Sequence, residues 1–349
     1  MTEQEMISVI LPVRDGDGAL LRLALESVRG QTYQNYEILL VDDGSEAAFA
    51  EQLDGLAGDN ARIRLFHREN SGVSAARNFA LGEAKGEIIT FLDADDVLSP
   101  VCFEEAVSLL RNSDADALWG ETRFFMDAER SGLPSPESVK AFSPEELEKR
   151  TIPLTEERLP QSVAELIGEP LRFEGGYINR GIAARFLRRE LFAGGMHRFP
   201  LGIRLYEDTI WNLELLQSAR IVLVKSIWYY YYDNSASASN RFQPELRTEM
   251  EASLRRIREQ LAPGNPTEYA AYTRFLMDSL RYVYRCCCGH PAWMPAPQER
   301  RDAFRALYRE EPWREIGTRR YLRFSAKRDR QKALLYRLHL LFAFWRRKI

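Results

Sequence analysis

Short apolar runs rich in β-branched residues alternate with helical patterns over the first 110 residues. The runs are Ile7–Val13 and those within the segments YEILLVDDGS, IRLFHR and EIITFLDADD. Between them, apolar or small residues recur at helical spacing, as Leu21, Leu25 and Val28 do. This order predicts an α/β fold built on a Rossmann-like, doubly wound and mostly parallel sheet. In such sheets ligands bind beyond the carboxyl ends of the strands.

Acidic residues follow two of these predicted strands at the point where each strand ends. Carboxylates about 5 Å apart repel by roughly 3 kcal/mol per pair at an effective dielectric constant near 20. A single aspartate here is more simply explained as a helix cap or a turn residue. Five of them at one edge of the sheet favour a site for a charged ligand. They are Asp42, Asp43, Asp93, Asp95 and Asp96.

The loop after the first strand, RDGDG, lacks a phosphate-binding glycine motif of the GxGxxG or P-loop type. A nucleotide diphosphate at this edge would therefore need another source of positive charge. Mg²⁺ and Mn²⁺ bind carboxylate oxygens together with substrate phosphates, so the acidic cluster predicts a divalent metal bridge.

Composition places the chain among globular proteins, with 45% hydrophobic and 28% charged residues in 349. Three of the four cysteines are adjacent, Cys286 to Cys288, which is not a disulfide framework and favours a reducing compartment. The polar start MTEQEM does not resemble a secretory signal, and no apolar run approaches 18 residues. We therefore expect a cytoplasmic protein.

The C-terminal region, residues 244–349, has helical patterns and ends in a strongly basic segment. Residues 319–349 contain eleven Lys or Arg and one acidic residue, whereas the rest of the chain is acidic. An apolar stripe of Leu334, Leu338, Leu341 and Trp345 flanked by basic residues favours peripheral contact with the inner face of the plasma membrane. The alternative is a helix packed on its own domain or on a second subunit in a homodimer. Nucleic acid is a poor partner for the acidic body.

Four segments in the first hundred residues carry a family resemblance: ISVILPVRD, EILLVDDGS, NSGVSAARNFAL and GEIITFLDADD. In this order and spacing they resemble the nucleotide-sugar-binding half of the inverting GT-A glycosyltransferases of family two. The resemblance continues more loosely to about residue 240. It implies a GT-A domain over residues 1–243, with a donor half to about residue 120 and an acceptor half from 121 to 243.

The resemblance implies donor-binding roles at matching positions. Pro12, Val13 and Asp15 would line the pocket for the base and ribose. Asp42 and Asp43 would contact the uracil or ribose, with Asp43 as the preferred base reader, and Arg77 would lie near the base and diphosphate. Asp93 and Ala94 would face the ribose or metal-bound water, while Asp95 would hold Mn²⁺ or Mg²⁺ through the diphosphate. Arg14 departs from the Tyr-Asn or Asn-Glu type of pair that many relatives carry here.

Transfer of a sugar to a hydroxyl also needs a general base. The segment FPLGIRLYEDTIWNLELL resembles the acidic pair at the start of the family's acceptor-side helix. On this resemblance Asp208 would take the proton of the acceptor, with Glu207 beside it. An ordinary helix cap is the alternative, and a cap can also position a base.

Weaker candidates lie on the acceptor side. Trp119 could stack on a sugar ring, although Trp is more often a core residue. Gly176 and Tyr177 could shape the acceptor pocket or form only a turn. Asp233, Ser235 and Ser237 resemble a loop that closes over the donor. Residues 127–165, polar and rich in proline, are interpreted as an insertion or loop.

Together these observations favour a metal-dependent inverting glycosyltransferase. It would move a sugar from a nucleotide-diphosphate donor, UDP-linked by preference, to a glycan or lipid-linked glycan in surface polysaccharide synthesis. A nucleotidyltransferase is one alternative, but its glycine-rich loop is missing after the first strand. A catalytically silent glycan-binding scaffold with the same fold is the other. The sequence keeps both Asp95 and Asp208, which disfavours the scaffold.

Overall fold

The computed structural model describes residues 5–58, 60–125, 133–135, 138–168, 180–232, 245–288, 290, 297–325, 327–337 and 341. Contact clustering divides the chain into two compact units. The first contains Met1–Thr155 and Pro170–Asn234, and the second contains Glu156–Glu169 and Ser235–Ile349. The expected boundary at 243/244 lies outside the described residues. Residues 156–169 group with the second unit, whereas the sequence placed them in the acceptor half.

The first unit begins with the predicted alternation of strands and helices. Its elements are β1 (Ile7–Val13), α1 (Gly18–Arg29), β2 (Tyr36–Asp42), α2 (Ala47–Ala57), β3 (Ile63–His67), α3 (Val73–Glu83), β4 (Ile88–Phe91), β5 (Val97–Leu98) and α4 (Cys102–Arg111). β1 and β2 are buried along their whole length, as continuous apolar runs in a covered parallel sheet should be.

The remaining elements of the first unit widen this sheet. They are β6 (Ala117–Phe125), α5 (Pro144–Glu148), β7 (Thr151–Pro153), β8 (Arg185–Arg188), a 3-10 segment (Arg189–Gly195), α7 (Glu207–Ser218) and β9 (Ile221–Tyr232). α5 begins with a capping box in which Ser143 and Glu146 bond each other's backbone N–H. The expectation of an irregular segment over 127–165 is therefore wrong for α5, for β7 and for the helix α6 (Leu159–Ile167) of the second unit.

The described strands form one mixed sheet in the order β3-β2-β1-β4-β8-β6-β9-β5, with β7 paired to β9. β1 to β4 are parallel, so Asp42 and the residues after β1 and β4 come to the same edge. β8 runs antiparallel between β4 and β6. The parallel half is thus the part that brings the acidic strand ends together.

Helices cover both faces of the parallel half. Ile7, Val9, Leu11 and Val13 of β1 belong to a core shared with α1, α2 and α4. On the opposite face, Phe91 packs edge-on against Phe199 and Trp211, and these two rings stack 4.6 Å apart. Trp211 lies in α7, so this aromatic cluster fixes the start of α7 beside the end of β4.

The second unit is helical. It contains α6, α8 (Leu246–Glu259), α9 (Pro266–Val283), a π-helical turn (Tyr284–Cys288), α10 (Pro297–Ala306), two short 3-10 turns (Leu307–Arg309 and Trp313–Glu315), α11 (Arg319–Phe324) and α12 (Lys327–Arg337). α9 is its centre, with Tyr272, Leu276 and Leu280 fully buried. The indole N–H of Trp313 donates to Ser279 Oγ at 3.1 Å, which ties a 3-10 turn to α9.

The C-terminal stripe expected from the sequence is only partly described. Leu334 is exposed, whereas Leu341 is buried together with Ala333 and Tyr336. Leu334 and Leu341 therefore do not share one exposed face, and Leu338 and Trp345 lie outside the described residues. Among the residues with coordinates, no helix is both long enough and apolar enough to cross a bilayer.

Candidate active site

The end of β2 carries two aspartates with different surroundings. Asp42 is buried, and its Oδ1 accepts the Ser45 N–H at 2.9 Å while its Oδ2 lies 2.7 Å from His67 Nδ1. These hydrogen bonds hold the pKa of Asp42 below its usual value despite burial. Asp42 thus braces β2 against β3 and does not line the cleft described next.

Asp43 faces a cleft of about 710 Å³. Its two carboxylate oxygens accept the backbone N–H groups of Ser71 and Gly72 at 2.9 and 2.8 Å. Its own N–H donates to the Val13 carbonyl at 2.9 Å, so the carboxylate is fixed from both sides. The cleft is lined by the ends of β1 and β2, the start of α3 and the loop before α7. Its residues are Pro12, Val13, Arg14, Asp43, Asn70 to Ala75 and Leu201 to Arg204.

Asp15 follows β1 with a left-handed backbone, at φ 38°. Its Oδ1 accepts the Glu46 N–H at 2.8 Å, and its own N–H donates to Ser45 Oγ at 3.1 Å. These contacts hold the loop after β1 against the loop after β2. Asp15 itself is not one of the lining residues of the cleft.

The loop after β4 separates its three carboxylates. Asp96 is 1% exposed, and it accepts the Tyr229 hydroxyl and the Tyr232 N–H, both at 2.7 Å. Asp93 is half-buried, and its N–H donates to the Tyr229 oxygen at 3.1 Å. Asp95 is exposed, and Ala94 is half-buried between them. α4 has Val101 at its N-cap without a side-chain bond, so the alternative that Asp95 or Asp96 caps this helix is wrong.

Arg77 joins this loop to α7. Its buried guanidinium donates to Asp93 Oδ1 at 3.0 Å and to Glu207 Oε1 at 3.1 Å. These carboxylates keep the pKa of Arg77 above its usual value, although burial opposes this. Arg77 is not a lining residue of the cleft. In this structure Arg77 links the loop after β4 to the start of α7.

Glu207 and Asp208 form the first turn of α7, after Tyr206 with a left-handed φ of 59°. Asp208 Oδ1 accepts the Thr209 N–H at 2.6 Å, and no donor among the described residues reaches Oδ2. Burial first, and the charge of Asp208 second, raise the pKa of Glu207 to about 7, while Arg77 opposes the shift. Burial also raises the pKa of Asp208, with a further contribution from Asp93. A carboxylate with a raised pKa is a stronger base than one in water.

Trp119 is not available to a sugar ring in this structure. It is 2% exposed, and the guanidinium of the buried Arg185 lies 4.2 Å from its ring centre. The expectation that Trp119 stacks on a sugar is therefore wrong. Trp119 is a core residue whose ring packs against a buried guanidinium group. Burial lowers the pKa of Arg185 to about 9, and Asp208 is the carboxylate that opposes this.

A metal site is not preformed in the residues that the structure describes: they contain no group of three His, Cys, Asp or Glu placed to hold an ion. Asp96 is engaged by tyrosines and Asp93 by Arg77, which leaves Asp95 as the exposed carboxylate of the loop. This donor set fits a divalent ion whose other ligands come from phosphate oxygens and water.

Comparison with known proteins finds a family model that matches the first part of the chain. A family model described as glycosyl transferase family 2 matches residues 8–162, which span the cleft's β1, β2 and α3 walls and the acidic loop. Residues 8–162 are therefore similar to the family 2 glycosyltransferases.

Two curated relatives are similar to parts of this chain. Streptococcus pneumoniae glycosyltransferase GlyG is 39% identical over 117 residues, which cover 33% of this chain and 38% of GlyG. Rhizobium meliloti succinoglycan biosynthesis protein ExoW is 32% identical over 144 residues, covering 39% of this chain and 45% of ExoW. The chain thus spans less than half the length of these relatives.

Among solved structures, S. aureus TarS in complex with UDP-GlcNAc resembles this chain with a TM-score of 0.59 at 16% identity. The match covers 96% of this chain and 88% of the TarS chain. At this identity the likeness shows the fold, and it confirms the GT-A architecture expected from the sequence.

Several candidate residues lie outside the described residues. They are Gly176, Tyr177, Asp233, Ser235 and Ser237. Their proposed roles at the acceptor or over the donor stay predictions.

Two groups of site residues were not predicted from the sequence. Ser74, 5% exposed, lines the cleft, and its hydroxyl has no hydrogen-bond partner among the described residues. Arg204 also lines the cleft. Tyr231 and Phe124 form an exposed aromatic pair with ring centres 5.5 Å apart, two residues beyond Tyr229. Arg204 could have been predicted as a site residue from its position three residues before Glu207.

Proposed function

We propose that the chain transfers a sugar from a UDP-sugar to a hydroxyl group of a glycan acceptor, with inversion at the anomeric carbon. One observation carries this proposal: Arg77 fixes the acidic loop after β4 next to the acidic start of α7, at the edge of the sheet that also holds the cleft. A donor site and a candidate base would therefore lie at the same edge of the sheet.

The donor would lie along the cleft with its base near Asp43. The carboxylate of Asp43 accepts hydrogen bonds and suits the N3–H of uracil, and the buried Ser74 hydroxyl suits a neighbouring carbonyl. TarS, which shares the fold, binds UDP and UDP-GlcNAc, which supports a uridine nucleotide.

Asp208 would act as the general base. It would accept the proton of the acceptor hydroxyl while the new C–O bond forms at the anomeric carbon and the bond to the diphosphate oxygen breaks. Its raised pKa suits this task, and the hydrogen bond from Thr209 holds the carboxylate in place. Glu207, paired with Arg77, would position the start of α7 and not react itself.

Mn²⁺ or Mg²⁺ bound through Asp95 would neutralise charge on the departing diphosphate. Asp95 suits this role because it is the exposed carboxylate of its loop. Asp93 would stay with Arg77 and face the ribose side.

The acceptor is proposed to be a surface polysaccharide or its lipid-linked precursor, since ExoW is a succinoglycan biosynthesis protein. Peripheral contact with the membrane through the basic residues 319–349 is part of the same proposal. The exposed pair of Tyr231 and Phe124 is a better candidate than Trp119 for stacking on the acceptor.

Titration calorimetry of UDP and GDP, with and without Mn²⁺, tests the donor assignment. We expect UDP to bind more tightly than GDP, and Mn²⁺ to strengthen UDP binding in the wild type but not in Asp95→Asn. Asp114→Asn, an exposed position before β6, is the matched control. Tighter binding of GDP would refute the uridine assignment. A folded protein that binds neither nucleotide would refute the transferase and favour a silent scaffold.

A further inference from the structure

Two arginines face the cleft from separate segments of the chain. Arg14 follows β1, and Arg204 belongs to the loop that precedes α7. Both side chains are lining residues of the same 710 Å³ cleft. The Arg14 side chain is 56% exposed, and its ion pair among the described residues is a long contact of 3.9 Å with Asp15. Two arginines from separate segments are therefore among the lining residues of the cleft.

The backbone next to Arg14 is held in an uncommon conformation. Asp15 has φ 38°, a left-handed value that is unfavourable for a residue other than glycine. The hydrogen bonds of Asp15 with Glu46 and Ser45 stabilise this turn. The turn ends β1 sharply at Val13 and leaves Arg14 as a lining residue of the cleft. Such strain needs compensation, and presentation of Arg14 is a reason to maintain it.

Strand order places Arg14 between the two ends of the site. Along the sheet, β2 ends at Asp43, β1 ends at Arg14, and β4 ends at the loop with Asp93 and Asp95. A nucleotide whose base lies at Asp43 and whose sugar lies toward the acidic loop must pass the end of β1. Its diphosphate is the part that comes to Arg14.

The acidic loop alone is a poor place for a diphosphate. Asp93 and Asp96 are already engaged, and Asp95 adds a further negative charge. One divalent ion would balance the charge of the diphosphate but leave the carboxylate uncompensated. Guanidinium groups supply paired N–H donors that match phosphate oxygens, so two arginines fit the remaining need.

We infer that Arg14 and Arg204 form an arginine clamp on the diphosphate of the nucleotide donor, and that the clamp gives donor binding a metal-independent component. This inference rests on the proposed donor function. It assigns to this chain a source of positive charge other than the metal, at a sheet edge that has no glycine-rich loop after β1. The backbone N–H groups of Ser71 and Gly72 cannot supply this positive charge, because both already donate to the carboxylate of Asp43.

Calorimetry with UDP and uridine in EDTA tests the clamp. The variants are Arg14→Gln and Arg204→Gln, with Arg22→Gln on the exposed side of α1 as the control. Loss of a charge-assisted hydrogen bond predicts that each clamp variant weakens UDP about tenfold, while the control does not. Affinity for uridine should change less than twofold, since uridine has no phosphate.

Four results separate the clamp from the donor proposal. UDP affinity unchanged in both clamp variants would overturn the clamp, and so would equal weakening of UDP and uridine. A wild type that binds UDP with Mn²⁺ but not in EDTA would also overturn the clamp and would leave the donor proposal standing. A wild type that binds neither ligand under either condition would overturn both. Circular dichroism of each variant checks that the fold is kept.

Discussion

Glu121 is a buried acid whose protonation should govern part of the stability of the first unit. It lies in β6 at 3% exposure, and its Oε1 has no hydrogen-bond partner within the described part of the chain. Burial raises its pKa from 4.5 to about 7, while the charges of Arg150 and Lys225 oppose the shift. The folded state therefore binds this proton more tightly than the unfolded chain does.

The sign and size of the effect follow from linkage. A raised pKa contributes stability that is complete below pH 4.5 and is lost as pH rises toward 7. Each unit of the shift corresponds to about 1.4 kcal/mol, so the wild type should lose about 2.5 kcal/mol between pH 5 and pH 8 through this group.

Glu121→Gln removes this titration while keeping the side chain's size. The free energy of unfolding of the variant, minus that of the wild type, should therefore increase by about 2.5 kcal/mol from pH 5 to pH 8. Urea unfolding followed by tryptophan fluorescence measures the difference, because Trp211 and Trp228 are fully buried in the same unit. Other titrating groups cancel between the two proteins.

Glu51→Gln, at an exposed position of α2, is the matched control and should show no such pH dependence. If the difference between Glu121→Gln and wild type stays constant within about 0.5 kcal/mol over this range, the reasoning is wrong. Glu121 would then be ionised and compensated in the folded state, and the positive charges of Arg150 and Lys225 would outweigh burial.

Three further predictions concern the site. Asp208→Asn should lower the rate of UDP release from a UDP-sugar by about 10²- to 10⁴-fold, and calorimetry should show UDP affinity within threefold of wild type. Ser74→Ala should weaken UDP by about fivefold to tenfold, because the base loses one hydrogen bond, and equal binding to both proteins would contradict that contact. Gly44→Ala should destabilise the fold by about 1–3 kcal/mol in urea, because φ is +78° and the new methyl group would lie 2.7 Å from the Asn70 nitrogen. A stability equal to wild type would show that the loop can shift.

The parallel half of the sheet could be predicted from sequence because its signals are local. Each strand of β1 to β4 is a short apolar run, and each is followed by a helix with its own spacing. The placement of acids at one edge then follows from strand direction alone. The mixed character of the sheet could not be predicted in this way, because the antiparallel β8 pairs with β4 and β6 across long separations in the chain.

Roles within the acidic cluster were less predictable. Asp42 and Asp43 are neighbours in sequence, yet one is bound to His67 and the other faces the cleft. Asp96 looks like part of a metal motif, but its oxygens are taken by Tyr229 and Tyr232. Those tyrosines lie more than 130 residues away, and no local pattern reveals such partners.

The charges of the site are ordered along the proposed path of the donor. Arg14 and Arg204 lie at the cleft, whereas Asp93, Glu207 and Asp208 surround Arg77 at the other end. In glycosyl transfer, negative charge grows on the departing diphosphate while the sugar becomes positively charged. A diphosphate at the arginines and a transferred sugar at Glu207 and Asp208 would therefore each meet charge of the opposite sign in the transition state. Arg77 keeps the acids close together without cancelling them, since one guanidinium faces three carboxylates. If the donor lay in the opposite direction, with its sugar at the arginines and its diphosphate at the carboxylates, the charges of the site would oppose both changes. The order of these residues along the sheet therefore supports the proposed direction of the donor.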